Sequence, residues 1–266
     1  MITIISGGTQ GLGEAVARRL ILQGLASGLV LTGRSADRGT RLAAEFSGAG
    51  VPSVFVAVDA ADVTAPERVV AACQERFGTV HGVVNVAASV SRATIFEDSP
   101  EHFDQMMAVN VRAPYFLIQQ ASRLMIATGA TGSIVNVGSV SGHGGHTKLA
   151  AYSISKGALS VMTRHLAFAL MRHRIRVNQV SPGWMDTESE HVTQTTLDGS
   201  PVNWLELAEA ERPMGRLVKP WEVANAIVFC LSPDSGLMTG NCIDVDQSVQ
   251  GAGDPPLPSA EETPQP

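Results

Sequence analysis

Short apolar runs rich in β-branched residues alternate along the chain with longer stretches whose apolar positions recur every three to four residues. The first pattern predicts buried strands and the second amphipathic helices. Residues 2–5 predict the first strand, and 11–24 a helix with Ala15, Val16, Leu20 and Ile21 on one face. Residues 29–32 predict strand two, and Ser35 stands as N-cap of a helix to about Phe46. Strand three covers 53–58, and Thr64 caps a helix to about Phe77. After strand four at 82–86, Ser99 and Pro100 open a long helix over 101–127, with Pro114 as its bending point. Strand five at 133–137, a helix over 150–172, strand six at 175–180, a helix at 220–231 and a last strand at 242–245 complete the series.

Strands apolar on both faces, alternating with helices, predict a mostly parallel seven-stranded sheet covered on both sides. Right-handed crossovers make this a doubly wound α/β domain, spanning 1–251. Ligands then bind at the carboxyl ends of the strands. Two segments stand apart. Residues 186–214 are polar, with a weak helical pattern at Trp204, Leu205, Leu207 and Ala208, and are expected to form a substrate-binding loop or lid. Residues 252–266 contain five prolines and no core pattern, as in a flexible tail.

Composition narrows the function classes. A length of 266 residues allows one large domain or two small ones. Three cysteines, widely spaced, exclude a disulfide framework and a CxxC metal knuckle. A net charge of −6 argues against a nucleic-acid partner held by phosphate contacts. No apolar run is long enough to span a membrane. The run at 2–5 stops too soon for a secretory leader, so a cytoplasmic location is expected. His143 and His146 flank glycines without an evident third ligand, so no metal is expected.

The first strand runs into Ser6-Gly7-Gly8-Thr9-Gln10-Gly11-Leu12-Gly13. Such a turn lets a pyrophosphate approach the backbone at a helix N-terminus. The spacing is G-x-x-x-G-x-G, and S-adenosylmethionine sites use glycine-rich first turns too. The second strand is more specific. An acid about 20 residues on bonds a ribose 2′-OH, but here Gly33 holds that place and Arg34 follows. A guanidinium matches a 2′-phosphate in charge and geometry, with Ser35 beside it as a further donor. NADP(H) is therefore expected in preference to NAD(H); a solvated loop arginine is the alternative. Lys156 follows Tyr152 by one helical turn on the same face, and Ser139 lies at the carboxyl edge of strand five. An ammonium about 4 Å away, at an effective dielectric of ~20, supplies about 4 kcal/mol toward ionising a phenol.

Gly7-xxx-Gly11-x-Gly13, Asn85-Val86-Ala87-Ala88, Asn110, Ser139, Tyr152-xxx-Lys156 and Pro182-Gly183 resemble, in order and spacing, the motifs of the short-chain dehydrogenase/reductase family over about residues 1–250. The resemblance implies a Rossmann-type fold and NAD(P)-dependent oxidoreduction of an alcohol or ketone. It implies Tyr152 as general acid/base, Lys156 as the group that lowers its pKa and bonds the nicotinamide ribose, Ser139 as the holder of the substrate oxygen, and Asn110 as the holder of a relay water. It sets Gly7, Thr9, Gln10, Gly11, Leu12, Gly13, Arg34, Ser35, Asp59, Ala60, Asn85 and Ala87 along the cofactor, with Asp59 as adenine contact and Asp62 as rival. Val180, Pro182, Gly183 and Thr187 would flank the nicotinamide. Ser141, His143, Trp184 and Met185 would join Ser139 and Tyr152 around the substrate.

The chain departs from the family at Ser6 (usually Thr), Val86 (usually Asn) and Gln247-Ser248 (usually Gly-Gly). An extended-type epimerase or dehydratase shares Tyr-xxx-Lys but carries a larger C-terminal region. A non-catalytic NADP-sensing protein typically lacks the pair. Glu188, Glu190, His191, Thr193 and Thr195 tilt the loop toward a polar, polyol-like substrate. Helices 101–127 and 150–172 carry more apolar residues than one buried face needs, so a homo-oligomer, dimer or tetramer, is expected.

Overall fold

The structure is a computed structural model and describes residues 1–144 and 147–250. The tail expected at 252–266 and His146 lie outside the described residues. Seven strands form one sheet: β1 (Ile2–Ser6), β2 (Gly28–Gly33), β3 (Ser53–Ala57), β4 (Gly82–Asn85), β5 (Gly132–Val137), β6 (Ile175–Pro182) and β7 (Cys242–Val245). Their order is β3-β2-β1-β4-β5-β6-β7 and every pairing is parallel, a doubly wound Rossmann-type sheet. The order reverses between β1 and β4, which opens a crevice at the carboxyl edge.

Strand side chains alternate between two cores because successive Cβ atoms point to opposite faces. Ile5, Val84, Val135 and Val180 pack against α1 (Gly11–Leu22), α2 (Ala36–Gly48) and α9 (Pro220–Leu231), through Val16, Leu20, Phe46 and Ile227. Ile4, Val83, Ile134 and Val177 pack against α3 (Ala65–Phe77), α5 (Ala113–Thr128) and α6 (Ala150–Leu170), through Val69, Ile118, Met125 and Ala167. Each of these fully buried aliphatics contributes about 1.5–3 kcal/mol of transfer free energy, so the two cores hold the carboxyl edge rigidly.

Three features differ from the sequence expectations. Ser99 caps α4 (Pro100–Met107), accepting from His102 N at 3.2 Å, but Ser35 and Thr64 make no side-chain cap. The Thr64 hydroxyl is drawn instead to Asp62, at 2.9 Å. The long helix expected over 101–127 is two helices joined by a π-helical turn, Ala108–Arg112. Pro114 accounts for it: proline has no N–H and its ring crowds the carbonyl four residues back, which is that of Asn110. The ladder skips a residue, and Ala113 N–H bonds the Ala108 carbonyl. Finally, residues 186–214 are partly helical, with α7 (Glu188–Val192), a π turn (Thr193–Leu197) and α8 (Trp204–Ala210). Trp204, Ala208 and Leu217 form a small core there, and the Met185–Val218 bridge ties the base to the sheet side.

Candidate active site

The glycine-rich turn is built by steric exclusion. Gly7 has φ +71°, and a Cβ there would lie 2.8 Å from Ala87 N. A Cβ on Gly13 would lie 2.1 Å from the Gly7 carbonyl oxygen, so α1 can begin this close to β1 only with glycine. Gly11 is different: at φ +52° it has open space where a Cβ would stand. An open cradle at a helix N-terminus fits a pyrophosphate. Leu12 turns its side chain into the first core, and Thr9 is buried against Gly33. Their expected cofactor contacts therefore fall to the backbone.

The rest of the crevice fits a dinucleotide. Asn85 donates to Asn136 Oδ1 at 2.8 Å, while its own buried Oδ1 has no partner among the described residues and is free to accept from a ribose. Ala87 N bonds Ser6 O at 3.0 Å, holding the β4 exit beside Gly7. Asp59 and Ala60 stand at the end of β3. Asp62 is committed to Thr64 and Arg68, whereas Asp59 is exposed and accepts only from Ala61 N among the described residues, which favours Asp59 as the adenine contact. Arg34 and Ser35 are exposed after β2. A second guanidinium, not singled out from the sequence, lies close by: Arg38 donates to Gln10 Oε1. The signal was its place four residues after Arg34, one turn along α2. Gln10 in turn donates to Ser189 Oγ at 2.9 Å, tying the turn to α7.

Ser139, Tyr152 and Lys156 come together at the exits of β5 and β6. Ser139 Oγ accepts from Ser141 N at 3.1 Å and hydrogen-bonds the Tyr152 phenol. Lys156 is 3% exposed, its Nζ donating to Val137 O at 2.8 Å and lying 5.6 Å from the Tyr152 ring centroid. Burial pushes the Lys156 ammonium down to about 8. Burial raises the Tyr152 phenol, the Ser139 bond pulls against it, and the charge of Glu190 raises it further. The physical reason is that desolvation penalises both charged forms, and the ammonium is turned onto a carbonyl.

Asn110 sits in the π-helical turn with its side chain turned onto neighbouring groups. Its side chain is consumed: Oδ1 accepts from Ser89 N at 2.8 Å, and Nδ2 faces Ser89 O, Met106 Sδ and Ser155 Oγ. Pro114, four residues on, offers the Asn110 main-chain carbonyl no α-helical N–H. Ser89 and Ser155 were not legible as site residues, because nothing local in the sequence pairs them with Asn110.

On the substrate side the expected residues divide. His143 Nε2 contacts Asp244 Oδ2 on β7 at 3.1 Å. Trp184 stacks on Trp204, with centroids 5.9 Å apart, and donates to Glu190 Oε1 at 2.8 Å. Met185, partly buried, packs against the first core, and the Val180 side chain is wholly buried in it. Pro182 is buried at the end of β6, and Gly183 is required because a Cβ there would meet the Asp246 carboxylate at 1.8 Å. Thr187 caps α7, accepting from Glu190 N at 3.1 Å. Among the described residues no group of three His, Cys, Asp or Glu could hold a metal ion, and no helix is long and apolar enough to cross a membrane.

Fold and site together define an oxidoreductase built to hold a nicotinamide dinucleotide. The chain matches, over residues 7–249, a family described as Enoyl-(Acyl carrier protein) reductase. It is 29% identical to a sorbitol dehydrogenase of Cereibacter sphaeroides, over 91% of this chain and 94% of the relative. It is 31% identical to an NADP-dependent (R)-specific alcohol dehydrogenase of Lentilactobacillus kefiri, over 92% and 94%. Among solved structures, an actinorhodin polyketide ketoreductase variant with NADPH superposes with a TM-score of 0.84 at 29% identity, over 92% and 95%. The chain belongs to the short-chain dehydrogenase/reductase family.

Proposed function

We propose that the protein is an NADP(H)-dependent alcohol dehydrogenase or ketoreductase acting on a small alcohol or carbonyl compound in the cytoplasm. The observation that carries this is the meeting of Ser139, Tyr152 and buried Lys156 at the carboxyl edge of the sheet. The bound nicotinamide supplies a hydride to the carbonyl carbon, or takes one from the alcohol. Ser139 holds the substrate oxygen through its hydroxyl. Tyr152 gives the phenolic proton to that oxygen in reduction and removes it in oxidation. Lys156 keeps a positive charge beside the phenol as it ionises, and the Asn110 carbonyl faces the refilling of that proton. Arg34 and Arg38, with no acid at Gly33, support the phosphorylated cofactor, as do the names of the alcohol dehydrogenase and ketoreductase relatives. The intact Tyr152–Lys156 pair disfavours a purely sensing role.

Tyr152→Phe tests the assignment. It should lower kcat by about 10²–10⁴-fold, the usual worth of a general acid/base, with NADPH affinity kept. Turnover near that of the wild type would overturn it.

A further inference from the structure

The strongest cross-link over the catalytic centre joins two loops that are not neighbours in sequence. Arg92 lies in the loop leaving β4, and Glu190 and Asp198 in the segment leaving β6. The sheet order puts β5 between those strands, so a bridge between the two loops crosses above the β5 exit, where Ser139 stands. Arg92 Nη2 meets Glu190 Oε1 at 3.3 Å, and Nη1 bonds Asp198 Oδ2. The Arg92 loop is fixed close to the catalytic helix as well. Ala93 N bonds Lys148 O at 3.0 Å, and Ala93 pairs with Leu149, three residues before Tyr152.

Within this roof the two oxygens of Glu190 are used unequally. Oε1 takes Trp184 Nε1 at 2.8 Å, Gln194 Nε2 at 2.8 Å and Arg92 at 3.3 Å. Among the described residues Oε2 takes no donor. The Glu190 side chain as a whole is 17% exposed. The bridge sets one guanidinium against two carboxylates, and the Arg212 guanidinium lies over the Trp184 ring, 5.8 Å from its centroid.

We propose that Glu190 Oε2 accepts a hydroxyl on the carbon next to the reacting one, making neutral vicinal diols, polyols and hydroxy ketones the preferred substrates and disfavouring hydroxy acids. This rests on the dehydrogenase reading above. A site built around a hydrogen bond rejects the analogue that lacks it, because its own polar group is left unpaired. The Glu190 carboxylate repels a substrate carboxylate in the same position, as like charges do. The field of Glu190 also reaches the Tyr152 phenol, in keeping with its place over the centre.

The test measures kcat/KM with NADP+ for matched pairs, 2,3-butanediol against 2-butanol and sorbitol against 2-hexanol, together with lactate. The wild type should favour the hydroxylated member of each pair. In Glu190→Ala and Glu190→Gln that ratio should fall about thirty-fold, equivalent to about 2 kcal/mol. Glu190→Gln should also raise lactate relative to 2-butanol. Melting curves and NADPH binding confirm that the variants fold, and Gln keeps an acceptor for Trp184 should Ala fail. A ratio that does not move in a folded variant overturns the proposal and leaves the dehydrogenase reading standing. A wild type that binds NADPH but oxidises none of these compounds, and reduces none of the corresponding ketones, overturns both.

Discussion

Lys156 shows what one buried side chain asks of the molecule. Its pKa is lowered to about 8, against about 10.4 for an unfolded lysine. Between those values the unfolded chain binds more protons than the folded one, so stability rises with pH. Below about 8 both states are protonated and the burial penalty is present in full. The total over the window is about 3 kcal/mol at most. Lys156→Met should remove that contribution: over pH 8 to 10 the stability from urea unfolding should rise less, or fall more, in the variant than in the wild type, while the buried Cys73 thiol, pushed up to about 12, pulls stability down with pH in both. Equal slopes would show that the ammonium is solvated. Arg34, exposed after β2, and Arg38, bonded to Gln10, carry the second residue-scale prediction. Arg34→Ala and Arg38→Ala should each weaken NADP(H) by about one to two decades, the worth of a charge-assisted contact, and leave NAD(H) nearly unchanged. Equal losses for both cofactors would show that neither reads the phosphate. At this scale the sequence displays residues whose chemistry is local, such as Tyr152 with Lys156 one turn on. It hides those defined by a long-range partner. Arg38 matters through Gln10 and Glu190 through Arg92.

Among the elements, strands were read nearly to the residue because apolar runs ending in Gly, Asn or Pro mark both the burial and the stop. Helix interiors were equally legible, but their ends were not. Ser35 and Thr64 have the residue types of N-caps, yet make no cap bond, since Asp62 competes for the Thr64 hydroxyl. Pro114 is legible as an irregularity; that a π turn stands beside it, with no N–H four residues on for the Asn110 carbonyl, depends on how the ladder closes around it. A π turn at a site residue is a common functional device. Pro114→Ala restores an N–H four residues after Asn110. The ladder should close, raising the melting temperature slightly while lowering kcat by about tenfold or more, within the range of a lost proton-transfer path. NADPH affinity should hold. Unchanged kcat in a stabilised variant would remove the carbonyl from the relay.

For the whole molecule, the doubly wound topology follows from the strand–helix alternation, and the position of the crevice follows from the topology. What the isolated chain leaves unexplained is the outer surface of α6. Ser155, Leu159, Thr163 and Ala167 bury one side of this helix. On another side Ile154, Val161 and Phe168 recur every seven residues, exposed by 53%, 66% and 75%. Tyr115, Phe116 and Ile126 on α5 are also exposed, by 41%, 41% and 45%. A seven-residue spacing keeps one stripe of a helix facing a straight partner, and an isologous two-fold contact would pair the stripe with its own copy. A stable dimer needs about 1,200–2,000 Å² of buried surface, an area that two long helices per subunit can supply. The protein is therefore expected to sediment and scatter light as a dimer or tetramer at micromolar concentration. Val161→Glu with Phe168→Glu places charges at the centre of the stripe and should yield monomers whose described fold survives, since neither side chain belongs to the core clusters. A wild type that is already monomeric would refute this use of the surface, as would a double variant with unchanged mass.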